Sequence, residues 1–161
     1  VSTLRFPWPL GRAYDRWLRE ELPAFQATTS VIIAVENMPC LRFGFLRLNP
    51  CRMSSFTDLE RFAYLTFDTT HWATRGVDLL QVYERLADRV AHVHISNYNG
   101  REHQLLTDGH LPLEEFLKAL KARKYEGIVT LELSPESLQA KDEKKVRKYL
   151  KEAVAFCRDF V

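Results

Sequence analysis

Four ionisable side chains stand at equivalent places along the sequence, each closing a short apolar segment. Glu36 follows "VIIAV", Asp68 follows "AYLTF", His94 lies near the end of "VAHVHIS", and Glu132 lies near the end of "GIVTLEL". Carboxylates gathered at one place would repel one another as bare charges, and a divalent cation would turn that repulsion into binding. Oxygen-rich ligands with one nitrogen suit Mn, Mg, Co or Zn. The pattern therefore predicts a divalent metal site, provided that the four segments end side by side.

Each of these residues also has an ordinary structural explanation. Asp68 could simply cap a helix or a turn, and either His92 or His94 could be a histidine of the core. The two histidines face the same side, since residues two apart in a strand do so. His94 is the better ligand because it is nearer the strand end. Glu36 and Glu132 have weaker alternatives, since a carboxylate that closes an apolar strand must be paired or neutralised. We favour less the interpretation in which all four strand-end residues only cap helices or turns.

Two further segments carry polar residues that could contact a substrate. His71 comes three residues after Asp68, in a segment that we predict to be a loop, and the alternative is a surface histidine. A long loop after the third strand contains Arg101, His103 and Gly109, and this glycine would permit a tight turn. Long loops in compact domains are often functional, although a solvated loop that ends at a helix start is the plain alternative.

The elements that must position these residues alternate along the chain. The four apolar segments are predicted strands, and the first, 31–35, is typical of a strand buried on both faces, followed by a loop over 36–50. Leu79, Val82, Tyr83 and Leu86 recur at helical spacing. Predicted helices occupy residues 11–22, 54–62, 76–88, 111–125 and 142–160.

This alternation of strands and helices predicts an α/β fold with a parallel sheet wrapped by helices. Neither GxGxxG nor GxxxxGK[ST] occurs, so the common nucleotide-binding sheets lack support. In a (β/α) barrel the carboxyl ends of the strands form the active-site face. The four ionisable residues would converge at that face.

Composition excludes several classes of function. The chain has 161 residues, 46% hydrophobic and 27% charged, with a formal net charge of +2. This is one domain's worth of chain, and its weak charge does not predict nucleic-acid binding. No apolar run reaches the ~20 residues of a membrane span, and the first residues lack the apolar region of a signal peptide. Cys40, Cys51 and Cys157 show no CxxC spacing, which favours reduced thiols and a cytoplasmic location.

Five sequence segments together resemble the xylose isomerase-like TIM barrels. They are "VIIAVENMP", "LTFDTTHWATRGVD", "VAHVHISNYNG", "HQLLTDGHLPLEEFLKAL" and "YEGIVTLELSP", which fall within about residues 30 to 135. That superfamily includes sugar-phosphate isomerases and epimerases and the endonuclease IV type of apurinic-site nuclease. The resemblance implies a partial (β/α)8 barrel with about four β/α units, strands five to eight. We therefore expect residues 1–161 to form a single domain that lacks the N-terminal half.

The resemblance also implies roles for particular residues. The implied metal ligands are Glu36, Asp68, His94 and Glu132. Of these, Glu36 and Glu132 would flank the substrate carbon whose proton moves, as catalytic residues, while the metal holds substrate oxygens. The implied substrate contacts are His71, Arg101 and His103. The expected function is a divalent-metal-dependent isomerase or epimerase of a sugar or sugar phosphate.

Two other functions stay open. An apurinic-site nuclease would use a three-zinc cluster, and two departures weaken that alternative: Arg101 stands where the nucleases place an aspartate, and Asn97 replaces an acid. The second alternative is a non-catalytic remnant or assembly module. Because four strands leave two open sheet edges, we expect pairing with another copy or with a separate N-terminal half. No membrane contact is expected.

Overall fold

The computed structural model describes residues 12–44, 46–51, 55–158 and 160. Its first part is helical: α1 (Arg12–Arg16) and α2 (Leu22–Ala27) are joined by a π-helical turn, Trp17–Glu21. The helix predicted over residues 11–22 is therefore confirmed from residue 12 onward and continues further than expected. Residue 11 lies outside the described residues.

The strands are β1 (Val35–Glu36), β2 (Leu41–Phe43), β3 (Leu46–Leu48), β4 (Leu65–Asp68), β5 (Val90–Ile95) and β6 (Ile128–Leu131). The helices are α3 (Phe56–Leu59), α4 (Thr69–Arg75), α5 (Leu79–Leu86), α6 (Leu113–Ala122) and α7 (Glu143–Arg158), with a 3₁₀ turn at Ala87–Arg89. The four strands β1, β4, β5 and β6 are separated by helices as predicted for an α/β fold, while β2 and β3 follow β1 directly. No helix in the described part of the chain is long and apolar enough to span a bilayer.

Four of the strands form one parallel sheet in the order β1–β4–β5–β6. The register places Asp68 opposite His94, and Ile95 opposite Leu131. Because the strands are parallel, their carboxyl ends lie at one edge of the sheet. The predicted α/β fold with a parallel sheet is confirmed.

The core lies between this sheet and the helices α4, α5 and α6. Phe67 of β4 stacks on Phe116 of α6, with ring centroids 5.3 Å apart, and meets Tyr83 of α5 edge-on at 5.8 Å. The predicted apolar face of α5 is buried in full: Leu79, Val82, Tyr83 and Leu86. Each fully buried side chain of this size contributes about 1.5–3 kcal/mol. The aromatic cluster therefore packs directly against β4, the strand that ends at Asp68.

The first predicted strand is wrong in extent. Of residues 31–35 only Val35 is in strand β1, while Val31 and Ile32 are 66% and 55% exposed rather than buried on both faces. The backbone N–H of Val31 donates to the Thr29 hydroxyl, and that of Ile33 donates to the Gln26 side chain. β-branched residues favour a strand only where a ladder partner is available. Here β4 begins its pairing with β1 only at Val35.

Two elements occupy segments that were predicted to be loops. Within residues 36–50, β2 and β3 pair as an antiparallel hairpin in which Leu41 lies opposite Leu48. Directly after Asp68, α4 runs to Arg75 and ends at Gly76, whose φ of 65° is left-handed. Helices often end on a glycine in this conformation because it has no Cβ to clash.

Candidate metal centre

The carboxyl ends of the four parallel strands bring the predicted ligands together. Each of Glu36, Asp68, His94 and Glu132 offers one ligand atom, and these atoms all lie within 4.8 Å of one another. β4 and β5 place Asp68 and His94 side by side, and Glu36 and Glu132 come from the flanking strands on either side. The convergence expected from the sequence is therefore present, while metal binding itself stays a prediction.

Asp68 serves both of the roles that its sequence position left open. Its Oδ1 accepts the backbone N–H of His71 at 2.7 Å and the Thr70 hydroxyl at 3.0 Å, so it caps helix α4. Its Oδ2 is buried, has no hydrogen-bond partner among the described residues and lies 3.9 Å from His94 Nδ1. One oxygen thus fixes the side chain, and the other remains available to a ligand.

His94 occupies the space between the two glutamates. Its Nδ1 lies 3.1 Å from Glu36 Oε1 and 2.7 Å from Glu132 Oε2. The contact with Glu36 has hydrogen-bond geometry, whereas Glu132 Oε2 has no well-directed hydrogen bond in the described residues despite its short distance. A protonated imidazole here supplies the positive charge that the carboxylates require.

The electrostatics of the group follow from this arrangement. Burial disfavours ionised Glu36, but the hydrogen bond from His94 and the nearby charges of His71 and His94 outweigh it, so the pKa lies below the usual 4.5. The hydrogen bond to Glu36 raises the pKa of His94 above 6.5, although burial opposes it and nearby carboxylates add to it. Burial raises the pKa of Asp68 above 3.8, against the influence of His71. The group therefore favours a bound positive charge, either a proton or a cation.

His71 is not in a loop as predicted, nor is it a surface histidine. It lies in the first turn of α4, is buried, and its Nδ1 is 2.7 Å from the backbone oxygen of Asn37. The sequence offered a helix capped by Asp68 only as an alternative, since the three threonines of this segment are weak helix formers. The aspartate cap and the terminal glycine were the available signals.

A second group of possible ligand atoms adjoins the first. Atoms of His71, Glu102 and His103 also lie within 4.8 Å of one another. His103 has a φ of 58°, unusual for a residue other than glycine, and its backbone oxygen accepts bonds from the Ser134 N–H at 2.8 Å and the Ser137 hydroxyl at 3.0 Å. The loop after β6 thus holds His103 towards His71.

A further ionisable residue, Glu102, lies next to Arg101 in this loop. Arg101 is exposed, and its described hydrogen bond runs from its backbone N–H to Asn99 Oδ1 at 3.3 Å. Its guanidinium belongs to neither group, whereas the adjacent Glu102 does, with Oε1 buried and unpartnered among the described residues. Alternation along an irregular loop follows no fixed period, so the sequence could not show which of the two side chains turns inward.

The loop itself is organised by Asn97. Its Oδ1 accepts the backbone N–H groups of Tyr98 and Leu111, and its Nδ2 donates to the Leu106 oxygen. Gly109 packs so closely on Asn97 that a Cβ at this position would clash with the Asn97 side chain. The glycine is therefore required for close approach rather than for a left-handed turn.

The four strand-end residues fit a divalent cation. Asp68 Oδ2 and Glu132 Oε2 are buried oxygens without a hydrogen-bond partner in the described part of the chain, which is costly unless a cation or proton satisfies them. Three carboxylates and one imidazole form an oxygen-rich donor set that suits Mn, Mg, Co or Zn.

Comparison with known proteins decides the family. The sequence matches the family described as "Xylose isomerase-like TIM barrel" over residues 8–160. The chain belongs to this family. The predicted resemblance is confirmed, and the four parallel strands form part of a (β/α)8 barrel.

Two curated relatives show distant similarity to this chain. An uncharacterised protein of Mycobacterium tuberculosis is 26% identical over 94% of this chain and 61% of its own length. An inosose dehydratase of Clostridium perfringens is 27% identical over 63% of this chain and 41% of its own length. The chain thus spans about three fifths of the length of the mycobacterial relative.

Two solved structures share the fold. The 3-keto-D-glucoside 4-epimerase of E. coli superposes with a TM-score of 0.65 and 20% identity, covering 96% of this chain and 59% of that one. A D-tagatose 3-epimerase-like protein gives a TM-score of 0.56 at 22% identity, covering 84% and 52%. At these identities the similarity shows the barrel fold alone.

Proposed function

We propose that the protein is a divalent-metal-dependent isomerase or epimerase that moves a proton at a carbon next to the carbonyl of a sugar or sugar phosphate. The observation that carries the proposal is the convergence of Glu36, Asp68, His94 and Glu132 within 4.8 Å. Family membership and relatives named as an inosose dehydratase and sugar epimerases support a carbohydrate substrate. We propose this activity for the whole protein, since the chain spans about three fifths of the length of its mycobacterial relative.

In this proposal the chain's own carboxylates move the proton. Glu36, Asp68, His94 and Glu132 would hold the cation, whose charge stabilises a substrate oxygen that becomes negative. The Asp68 side chain is fixed because it caps helix α4, and it would act only as a metal ligand. Glu36, whose pKa lies below 4.5, is ionised at neutral pH and would accept the proton from carbon. Glu132, on the other side of His94, would return it.

The side chains beside the group are the proposed substrate contacts. His71 and His103 have ring centroids 5.5 Å apart and line the space next to the carboxylates. Arg101 is exposed in the same loop, where its charge could bind a substrate phosphate. These assignments follow the family resemblance and the placement of the loop.

Metal content and hydrogen exchange at carbon test the proposal together. We expect the purified protein to bind one divalent ion tightly and, with a suitable ketose, to incorporate solvent deuterium at the carbon next to the carbonyl. Glu36→Gln and Glu132→Gln should each weaken binding and stop exchange, while Glu84→Gln, a surface change in an exposed ion pair with Arg123, should do neither.

The outcomes separate the alternatives. If the bound ion survives both glutamine substitutions, the ligand assignment is wrong. Retained metal without exchange on any sugar tested would favour a non-catalytic assembly module instead.

A nuclease remains the second candidate because of the group formed by His71, Glu102 and His103. Glu102 supplies the carboxylate whose absence at Arg101 counted against a multi-metal site. This candidate requires about three bound zinc ions and cleavage of an abasic duplex. One bound ion, and no effect of Glu102→Gln on metal content, would exclude it.

We further propose that the exposed apolar surface is covered by another copy of the chain or by an N-terminal half-barrel. The hairpin carries its apolar side chains outward and exposed: Leu41, Phe43, Leu46 and Leu48. Arg42 and Arg47 point the other way, to the Tyr98 hydroxyl and the Arg75 oxygen. Light scattering across a concentration series should show association that Phe43→Ser weakens; a monomer at every concentration would rule out self-pairing.

A further inference from the structure

Asn37, directly after the candidate ligand Glu36, is a buried amide with only 2% of its surface exposed. Its Oδ1 accepts the backbone N–H of Asp68 at 2.8 Å, and its Nδ2 donates to the backbone oxygen of Asp68 at 3.0 Å. One side chain thus satisfies both backbone groups of a candidate ligand. These two hydrogen bonds take the place of backbone pairing between neighbouring strands at the position where strand β1 has ended.

The hydrogen bonds of the Asn37 side chain compensate for the shortness of β1. The strand has two residues, and beyond Glu36 the backbone N–H of Asn37 reaches the Thr66 oxygen only at 3.5 Å. The two hydrogen bonds between the Asn37 side chain and the Asp68 backbone therefore fix the end of β1 against the end of β4. Because Glu36 precedes Asn37, the same contacts set the position of Glu36 relative to Asp68.

The backbone of Asn37 also orients His71. The Asn37 oxygen lies 2.7 Å from His71 Nδ1, and a carbonyl oxygen can only accept a hydrogen bond. In the neutral ring the proton must then be on Nδ1, which leaves the lone pair on Nε2. A hydrogen bond from the second ring nitrogen is the usual way in which a protein fixes the ligating or accepting nitrogen of a histidine.

We propose that Asn37 is a positioning residue that sets Glu36, Asp68 and His71 at once. Its side chain aligns the two carboxylates, and its carbonyl selects the His71 tautomer in which Nε2 carries the lone pair. The prediction about the His71 tautomer does not depend on the proposed function, whereas the prediction about metal affinity rests on it. Asn37 touches neither metal nor substrate in this account and acts through its neighbours.

The first test is nitrogen NMR of the histidine rings in the metal-free protein, at a pH where the rings are neutral. We expect His71 of the wild type to show the Nδ1-protonated pattern. Asn37→Ala should shift His71 towards a mixture of tautomers, because the carbonyl is no longer held in place. A wild-type ring protonated on Nε2, or an unchanged pattern in the variant, would overturn the proposal.

The second test is divalent metal affinity measured by calorimetry with Mn²⁺. Loss of a residue that supports a metal ligand typically weakens binding by about 10–100-fold, and we expect Asn37→Ala to fall in that range. Asn37→Asp keeps the shape and the Oδ1 acceptor but loses the Nδ2 donor, so it serves as the second variant should the alanine variant fail to fold. It should weaken binding less than alanine does.

Leu86→Ala is the matched control, since it destabilises the buried face of α5 without touching the site. It should lower stability while leaving both the His71 pattern and metal affinity unchanged. If the control shifts them as Asn37→Ala does, the effect is general destabilisation and the positioning role is refuted. If the wild type binds no Mn²⁺, the proposed function fails, and the tautomer result alone decides the role of Asn37.

Discussion

The neighbouring strands β4 and β1 differ sharply in how they hold the candidate site residues. β4 is buried at all four residues and rests on the aromatic cluster of Phe67, Tyr83 and Phe116. β1 has two half-buried residues and is preceded by the exposed Val31 and Ile32. The strand that carries Asp68 therefore rests on packed aromatic side chains, whereas the position of Glu36 depends on the hydrogen bonds that join its neighbour Asn37 to Asp68.

In the proposed metal centre, this difference would combine rigid and adjustable ligands. A carboxylate that must also take up and release a proton benefits from some freedom, while a ligand that only holds the cation does not. Asp68, with one oxygen fixed as a helix cap, is of the second kind. Glu36, at a sheet edge and partly exposed, is of the first.

The largest effect should come from comparing the same residue type beneath β4 and on the exposed hairpin of β2 and β3. Phe116 is 0% exposed and Phe43 is 61% exposed. Phe116→Ala should cost about 3–5 kcal/mol of unfolding free energy, because it leaves a cavity beneath β4. Phe43→Ala should stay within about 0.5 kcal/mol in the monomer. Urea denaturation measures both, and equal losses would mean that the hairpin is not exposed in solution.

A smaller effect should separate the two roles of Asp68. Asp68 and Asp78 both cap helices through Oδ1, accepting the N–H of His71 at 2.7 Å and of Gln81 at 2.9 Å. Because asparagine caps as well as aspartate does, Asp68→Asn and Asp78→Asn should each change metal-free stability by less than about 1 kcal/mol. Only Asp68→Asn should weaken metal binding, by more than the ~10–100-fold typical of supporting residues.

Calorimetric titration with Mn²⁺ and thermal unfolding in chelator measure the two quantities separately. For Asp68→Asn, metal-free stability should rise slightly, because burial raises the pKa of Asp68 and so disfavours its charge. Metal affinity that drops equally in Asp78→Asn would show that the helix caps, and not the carboxylate charge, control the site.

The sequence predicted the site better than its surroundings, for physical reasons. Ligand positions depend on strand ends in a parallel sheet, and the strands β4, β5 and β6 are marked by local apolar runs. The exposed hairpin was missed because nothing in "LRF" and "LRL" indicates which face points outward. Glu102 was missed because loop geometry has no period, and Asn37 because its partner Asp68 is 31 residues away in the chain.

The smallest effect is a pH dependence that distinguishes His94 from its neighbour His92. In the metal-free protein the hydrogen bond to Glu36 raises the pKa of His94 above 6.5, so the folded state holds a proton that the unfolded state has lost. Stability from this contact is complete below 6.5 and is lost as pH rises through the folded pKa. Burial and the charge of His94 lower the pKa of His92, so its contribution changes below 6.5, with stability rising as pH rises.

Unfolding in chelator between pH 5 and 9 should therefore show a decline above about 6.5 that His94→Gln removes and His92→Gln leaves in place. Metal affinity should follow the opposite trend and increase over the same range, because the cation must displace the His94 proton. Opposite slopes for metal-free stability and metal affinity require one group that binds either a proton or a cation. Parallel slopes would place the metal away from His94, and with it away from the end of β5.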